Sequence, residues 1–180
     1  MGILKDLFGT RSKKSKENKI RTNSPDSDSI FEEFRKLSLE QRCALLAFEF
    51  SVSSTFAQGI KEKQETLKII EFERKKLDVS EDEFMAYAFK AGGGSQMMDS
   101  FIQKMKTITD KSILDQTLYM GFCIAQTCRN GEAYEYVGYV FEQVGYSEDD
   151  IKDTIKKIGL LGNMMNPKYF VICSKTFGIE

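Results

Sequence analysis

The residues most suited to chemistry are two pairs of glutamates. In each pair the carboxylates are three positions apart, and each pair follows an amide–glycine dipeptide, Gln58-Gly59 in one case and Asn130-Gly131 in the other. Residues three apart in a helix share one face, so each pair can offer two oxygen ligands to a hard cation such as Ca²⁺ or Mg²⁺. The candidate ligands are Glu62, Glu65, Asn130, Glu132 and Glu135. The alternative is that these acids complement the positive end of a helix dipole and bind no metal.

The chain has few other groups that could catalyse a reaction. It contains no histidine, so histidine-dependent triads are excluded. Its four cysteines are Cys43, Cys123, Cys128 and Cys173, and no two of them form a Cys-x-x-Cys motif. Three lie in apolar surroundings, which predicts reduced, buried thiols and a reducing compartment. With no recognisable nucleophile or general base, the sequence predicts a protein that is not an enzyme.

The first 29 residues form an arm whose composition differs from that of the rest of the chain. Residues 1–30 contain seven Lys/Arg and four Asp/Glu, a net charge of +3, whereas residues 31–180 carry −4. The arm opens with a short amphipathic segment and continues as a basic run: Ile3, Leu4, Leu7, Phe8, Arg11, Lys13, Lys14 and Lys16. We predict that it is disordered and binds either an anionic membrane surface or a protein partner. Because its basic run has no interleaved aromatic residues, nucleic acid is not an expected partner.

The body of the chain carries helix signals along its length. Ser38, Ser80 and Ser147 each precede an apolar-periodic segment and have Gln, Glu or Asp three residues later, as in a capping box. The predicted helices span residues 30–37, 39–58, 62–77, 81–91, 95–107, 111–129, 132–144 and 148–158. The sequence therefore predicts an all-α fold, a compact bundle of seven to eight helices joined by short loops. Residues 30–160 form this domain, and residues 161–180 are expected to pack on it as a C-terminal tail.

Apolar residues recur at steps of three and four within these segments. One stripe consists of Leu114, Leu118, Gly121, Ala125 and Cys128. Another contains Leu67, Ile70 and Leu77 and is interrupted by Arg74. The segment "CALLAFEFSVSSTFA" is apolar nearly all round, which predicts a central helix that is contacted from several sides.

The chain contains an internal sequence repeat that suggests a duplicated helical hairpin. In both copies a long helix ends at an amide–glycine turn, an amphipathic helix follows, and a serine-capped turn leads into a third helix. "KKLDVSEDEF" and "EQVGYSEDDI" are the two serine-capped turns. Gly59 to Ser80 spans 21 positions but Gly131 to Ser147 spans 16, so the second middle helix has lost about a turn.

These motifs and the span "MDSFIQKMKTITDKSILDQTLYMGFCIAQTCRNGE" between them resemble the tellurite-resistance TerB-like family over roughly residues 38–158. The resemblance implies an all-helical bundle with two internally related halves and a role in stress response, namely tellurite or other chemical stress, or phage defence. In that family, acidic residues precede the two glycines and are associated with a cation site. Here those positions are Gln58 and Asn130, which weakens the case for a cation.

The sequence therefore predicts a cytoplasmic, non-enzymatic module that binds a protein partner, and its arm is a candidate contact either with the inner face of the membrane or with protein. A cluster of tyrosines is a candidate contact surface, although the three cannot all share one helix face: Tyr134, Tyr136 and Tyr139. No cofactor is expected under this hypothesis. The alternative hypothesis is a Ca²⁺- or Mg²⁺-binding sensor that uses the paired glutamates.

Overall fold

The computed structural model describes residues 27–160, and these residues form eight α-helices and no β-strand. In chain order they are α1 (Ser27–Arg35), α2 (Leu39–Phe56), α3 (Ile60–Lys76), α4 (Glu81–Ala91), α5 (Ser95–Met105), α6 (Lys111–Cys128), α7 (Gly131–Val144) and α8 (Glu148–Leu160). The predicted all-α bundle of seven to eight helices is confirmed, and every predicted helix end lies within three residues of the observed one. Within residues 27–160, no helix is both long enough and apolar enough to cross a membrane. The predicted arm, apart from the first residues of α1, and the predicted C-terminal tail lie outside the described residues.

Serine caps begin three of the helices, as the sequence predicts. At α2, the Ser38 hydroxyl accepts a hydrogen bond from Gln41 N (3.2 Å), and Gln41 Oε1 accepts one from Ser38 N (2.9 Å). Ser80 begins α4 with the same reciprocal pair. At α8 the shorter Asp150 completes the pair, because Asp150 N donates to Ser147 Oγ and Ser147 N donates to Asp150 Oδ2, each at 3.1 Å. Each box satisfies backbone amides that have no partner within the helix.

Helix α2 is the centre of the bundle. It contacts α3, α4, α5, α6 and α7. Its side chains from Cys43 to Phe48 are almost completely buried. The Phe48 ring packs against Phe101 of α5 and Phe141 of α7, with ring centroids 6.0 and 5.6 Å away. The prediction of a central helix contacted from several sides is confirmed.

Helix α6 lies against α2 at a short distance, which a glycine makes possible. A Cβ atom at Gly121 would lie 2.6 Å from Phe48 Cζ and 3.2 Å from Val137 Cγ1. The whole predicted stripe of α6 is buried: Leu114, Leu118, Gly121, Ala125 and Cys128. The missing side chain at Gly121 therefore lets α2, α6 and α7 share one core.

Two sets of three helices follow the order of the predicted repeat. Helices α2, α3 and α4 contain 18, 17 and 11 residues. Helices α6, α7 and α8 contain 18, 14 and 13 residues, so the second middle helix is the shorter one, and α5 joins the two sets. That the two sets superimpose as copies of one unit stays a prediction.

Candidate functional site

Glu62, the first of the predicted cation ligands, lies in the first turn of α3. Its carboxylate folds back over the helix start, where a side chain at Gly59 would collide with Glu62 Oε2. Glu62 Oε1 also lies 3.7 Å from Arg129 Nη1, at the end of α6. The contact brings the turn before α3 close to the turn before α7. The helix N-terminus and the guanidinium both place positive charge near the Glu62 carboxylate without a metal.

The other predicted ligands are not gathered around Glu62. Asn130 Oδ1 accepts a hydrogen bond from Glu132 N at 3.0 Å and so caps α7. Glu132 and Glu135 are exposed, and Glu65 is half-buried. Among residues 27–160, no three His, Cys, Asp or Glu side chains converge closely enough to hold a metal ion. The cation site stays a prediction, while the geometry gives Asn130 and Glu62 roles at helix starts.

The three tyrosines of the predicted aromatic patch do not form one surface. Tyr134 is buried, with its ring stacked on Phe122 at a centroid distance of 6.0 Å. Tyr136 is half-buried, and its hydroxyl lies 3.0 Å from Ser51 Oγ. Only Tyr139 is exposed. Helix α7 turns Tyr134 into the core and Tyr136 toward α2, so of the three tyrosines only Tyr139 is open to a partner.

The cysteines of the described residues are buried, free thiols. Burial raises the pKa of Cys43 to about 11, of Cys123 to about 12 and of Cys128 to about 11. Thiols with such pKa values are almost entirely protonated at neutral pH and are poor nucleophiles. The predicted burial of the thiols is therefore confirmed for these three, and Cys173 lies outside the described residues.

Two glutamates that the sequence patterns did not single out are buried side by side. Glu49 of α2 is 4% exposed and Glu73 of α3 is 5% exposed. The Oε2 atom of each is enclosed and has no hydrogen-bond donor. Burial raises the pKa of both carboxyls, and the charge of Glu73 and a hydrogen bond with Glu73 raise that of Glu49 further. Two carboxyls can form that bond only when one of them is protonated, so the buried pair favours a shared proton.

Helix α6 supplies the titratable neighbours of this pair. The charge of Glu73 adds to the effect of burial in raising the pKa of Cys123. Burial and the nearby Cys123 raise the pKa of Tyr119, whose hydroxyl is enclosed, well above its usual value. No Lys or Arg between residues 31 and 154 forms an ion pair with Glu49 or Glu73. These four residues, of which Tyr119 is half-buried, are the buried polar cluster of α2, α3 and α6, which can hold a proton.

A sequence signal for half of this cluster exists. Glu49 is the only charged residue between Cys43 and Phe56, in the segment that is apolar nearly all round. Glu73 has no comparable signal, because it stands among charged residues in "EFERKK". Its burial depends on how α3 is rotated against α2, which periodicity alone does not determine.

Helix α4 carries two large apolar side chains that are exposed and lie near each other. On its inner side, Phe84 contacts Phe50 of α2, with ring centroids 6.2 Å apart. Met85 and Phe89 lie one turn apart on α4 and are 59% and 91% exposed. No residue of α4 is fully buried. The helix therefore presents an apolar face, defined here by Met85 and Phe89, that the described residues leave uncovered.

No protein-family model matches the chain, and no curated protein or solved structure is significantly similar to it. The resemblance to the TerB-like family therefore depends on the sequence motifs alone.

Proposed function

We propose that this chain is a non-enzymatic helical module that binds a protein partner through the Met85–Phe89 face of α4. The observation that carries the proposal is the exposure of Phe89, the most exposed large apolar side chain in the described part of the chain. Large aromatic residues supply much of the energy of protein interfaces when a partner covers them. A single exposed apolar residue needs no explanation, but here a second one lies one turn away on the same helix.

The chemistry of this face suggests the kind of partner. Glu81 and Asp82 are exposed in the first turn of α4, at the N-terminal end of the apolar face. Glu83, by contrast, is engaged by Ser80 in the capping box. An amphipathic segment with apolar anchors and a basic flank would match both features, because opposite charges steer association and fix orientation.

The wider setting of the proposal comes from the sequence. The resemblance to the TerB-like family supports a stress-response role, in tellurite or other chemical stress or in phage defence. The basic arm supports a location at the cytoplasmic face of a membrane. The alternative is a Ca²⁺ or Mg²⁺ sensor. The contacts of Glu62 and Asn130 are those of residues at helix starts, and none of them favours a cation.

A crosslinking pull-down from the native cell tests the docking surface, with Phe89→Ser compared with the wild type. We expect Phe89→Ser to lose the partner that the wild type captures, with affinity reduced roughly 30-fold if Phe89 is an anchor worth about 2 kcal/mol. Ile60→Ser is the matched control, because Ile60 is 79% exposed but lies at the start of α3.

Circular dichroism and thermal melting establish that both variants fold. If Phe89→Ser captures the same proteins as Ile60→Ser and the wild type, α4 is not the docking surface.

A further inference from the structure

Helix α3 is attached to the bundle with little apolar surface of its own. Its buried residues are Thr66, Ile69, Ile70 and Glu73, so half of them are polar. Helix α6, by comparison, buries a nearly continuous apolar stripe. Apolar burial is the main favourable contribution to docking a helix. The attachment of α3 therefore depends more than that of its neighbours on its polar contacts.

Three polar contacts lie along the line where α3 meets α2. At one end, Ser53 Oγ and Thr66 Oγ1 share a hydrogen bond of 2.6 Å. At the other end, Arg42 Nη1 donates to the carbonyls of the turn that follows α3, at 2.9 Å from the Asp78 oxygen. Neither of these two contacts contains a carboxyl group. The middle contact is the pair of buried carboxyls, Glu49 and Glu73.

The surroundings of the pair offer nothing to neutralise a second negative charge. From α6 the facing groups are Cys123 and Tyr119, both neutral near pH 7 because burial raises the pKa of each. No cation in the described residues pairs with either carboxyl. An ionised carboxyl buried beside another, without a compensating charge, is strongly unfavourable.

We propose that Glu49 and Glu73 hold one proton between them in the folded protein, and that loss of this proton as the pH rises releases α3 from α2. The pair is thus a proton-controlled latch. Release uncovers the faces of α2 and α6 that α3 contacts. The latch is separate from the Met85–Phe89 face, so it stands or falls independently of the proposed docking surface.

The direction of the pH effect follows from the pKa shifts. The folded-state pKa of both carboxyls lies above the ordinary value of 4.5. Their contribution to the attachment of α3 is therefore complete below about pH 4.5, where folded and unfolded states are both protonated. It decreases as the pH rises toward the raised pKa of the pair, because only the loosened state releases its protons freely.

Hydrogen exchange of the full chain, followed by mass spectrometry between about pH 5 and pH 8 and corrected for intrinsic exchange, tests the latch. We expect the protection factors of peptides from α3 to fall at least tenfold as the pH rises, while those of peptides from α7 stay constant. Glu49→Gln/Glu73→Gln should remove the difference, because amides of the same shape hydrogen-bond without titrating. Glu71→Gln is the matched control on α3, since Glu71 is an exposed carboxylate that pairs with Arg74, and it should retain the wild-type profile.

Two results would overturn the proposal: α3 and α7 responding alike to pH in the wild type, or the double variant keeping the wild-type slope. If the double variant does not fold, infrared titration of the wild type and Glu49→Gln decides. A protonated-carboxyl band that persists above pH 5 in the wild type and shifts in position in the variant, where the bond between two carboxyls is lost, is expected, and its absence from the wild type refutes the shared proton. Stabilisation by Ca²⁺, Mg²⁺ or Zn²⁺ that Glu49→Gln abolishes would instead assign the pair to a cation.

Discussion

At the scale of single residues, Gly121 lets α6 approach the Phe48 ring of α2 closely in the core. A Cβ atom there would lie 2.6 and 2.8 Å from Phe48 Cζ and Cε1. The Phe48 ring cannot easily move, because it is fully buried and packs against the rings of Phe101 and Phe141. We expect Gly121→Ala to destabilise the protein by about 1–3 kcal/mol, although alanine is the better helix former. Chemical denaturation measures this change.

Gly131→Ala is the control for that prediction. Gly131 is exposed at the start of α7, and a Cβ there would meet nothing within 4 Å. The free energy of unfolding of Gly131→Ala should equal or exceed that of the wild type. Equal stability of the two alanine variants would mean that the core around Phe48 relaxes to admit a methyl group.

The sequence could predict that Gly121 lies in the core, because it belongs to a stripe with the period of a helix. It could not predict which side chain lies opposite, since Phe48 is 73 positions earlier and their contact depends on the packing of two helices. The same limit applies to Glu49. A lone acid in an apolar helix is ordinarily expected to reach solvent. Glu49 is buried instead, beside Glu73 of another helix, and the sequence of its own helix does not show this neighbour.

At the scale of elements, α4 depends more on its capping box than the other capped helices do, because it has no fully buried residue to hold it against the bundle. Ser80 N donates to Glu83 Oε2 at 2.7 Å, and Glu83 N donates to Ser80 Oγ at 3.2 Å. We expect Ser80→Ala to reduce the stability of the protein by about 1 kcal/mol and to increase hydrogen exchange throughout α4. Ser112→Ala is the control, since the first turn of α6 is capped by Asp110 instead.

The same box should weaken in acid. The hydrogen bonds from Ser80 lower the pKa of Glu83, so its contribution is present above the ordinary pKa of glutamate and is lost as the pH falls through the lowered value. The difference between wild type and Ser80→Ala should therefore shrink at low pH. A difference that does not change with pH would show that Glu83 contributes nothing to the cap.

Sequence patterns predicted these elements well because caps and periodicity are local. They were less successful for the orientation of α3. Leu67 belongs to the predicted apolar stripe but is exposed, whereas Thr66 and Glu73 are buried. Helix α3 packs against both α2 and α6, and the polar partners available there, such as Ser53, make polar residues acceptable on its inner side.

At the scale of the whole molecule, two free thiols lie under different helices: Cys43 lies near α4, and Cys123 lies near α3. Cys43 of α2 lies on the side of α4, where the charge of Glu83 contributes to its raised pKa. Cys123 of α6 lies in the buried polar cluster, where the charge of Glu73 contributes. Both are almost fully buried, so alkylation of either reports an opening of the fold around it.

We expect iodoacetamide to modify neither Cys43 nor Cys123 appreciably in the native protein at neutral pH. If the bundle opens only as one cooperative unit, the two thiols become reactive at the same denaturant concentration. If α3 detaches first, Cys123 should react at lower denaturant than Cys43, and the gap should widen as the pH rises, since the second charge on the Glu49–Glu73 pair weakens only the α3 side. Peptide mapping of alkylated protein across a denaturant series at two pH values measures both thiols in one sample. Simultaneous labelling at both pH values would mean that α3 is an integral part of a single cooperative core, and that the polar contacts along α2 hold it as firmly as apolar packing holds α6.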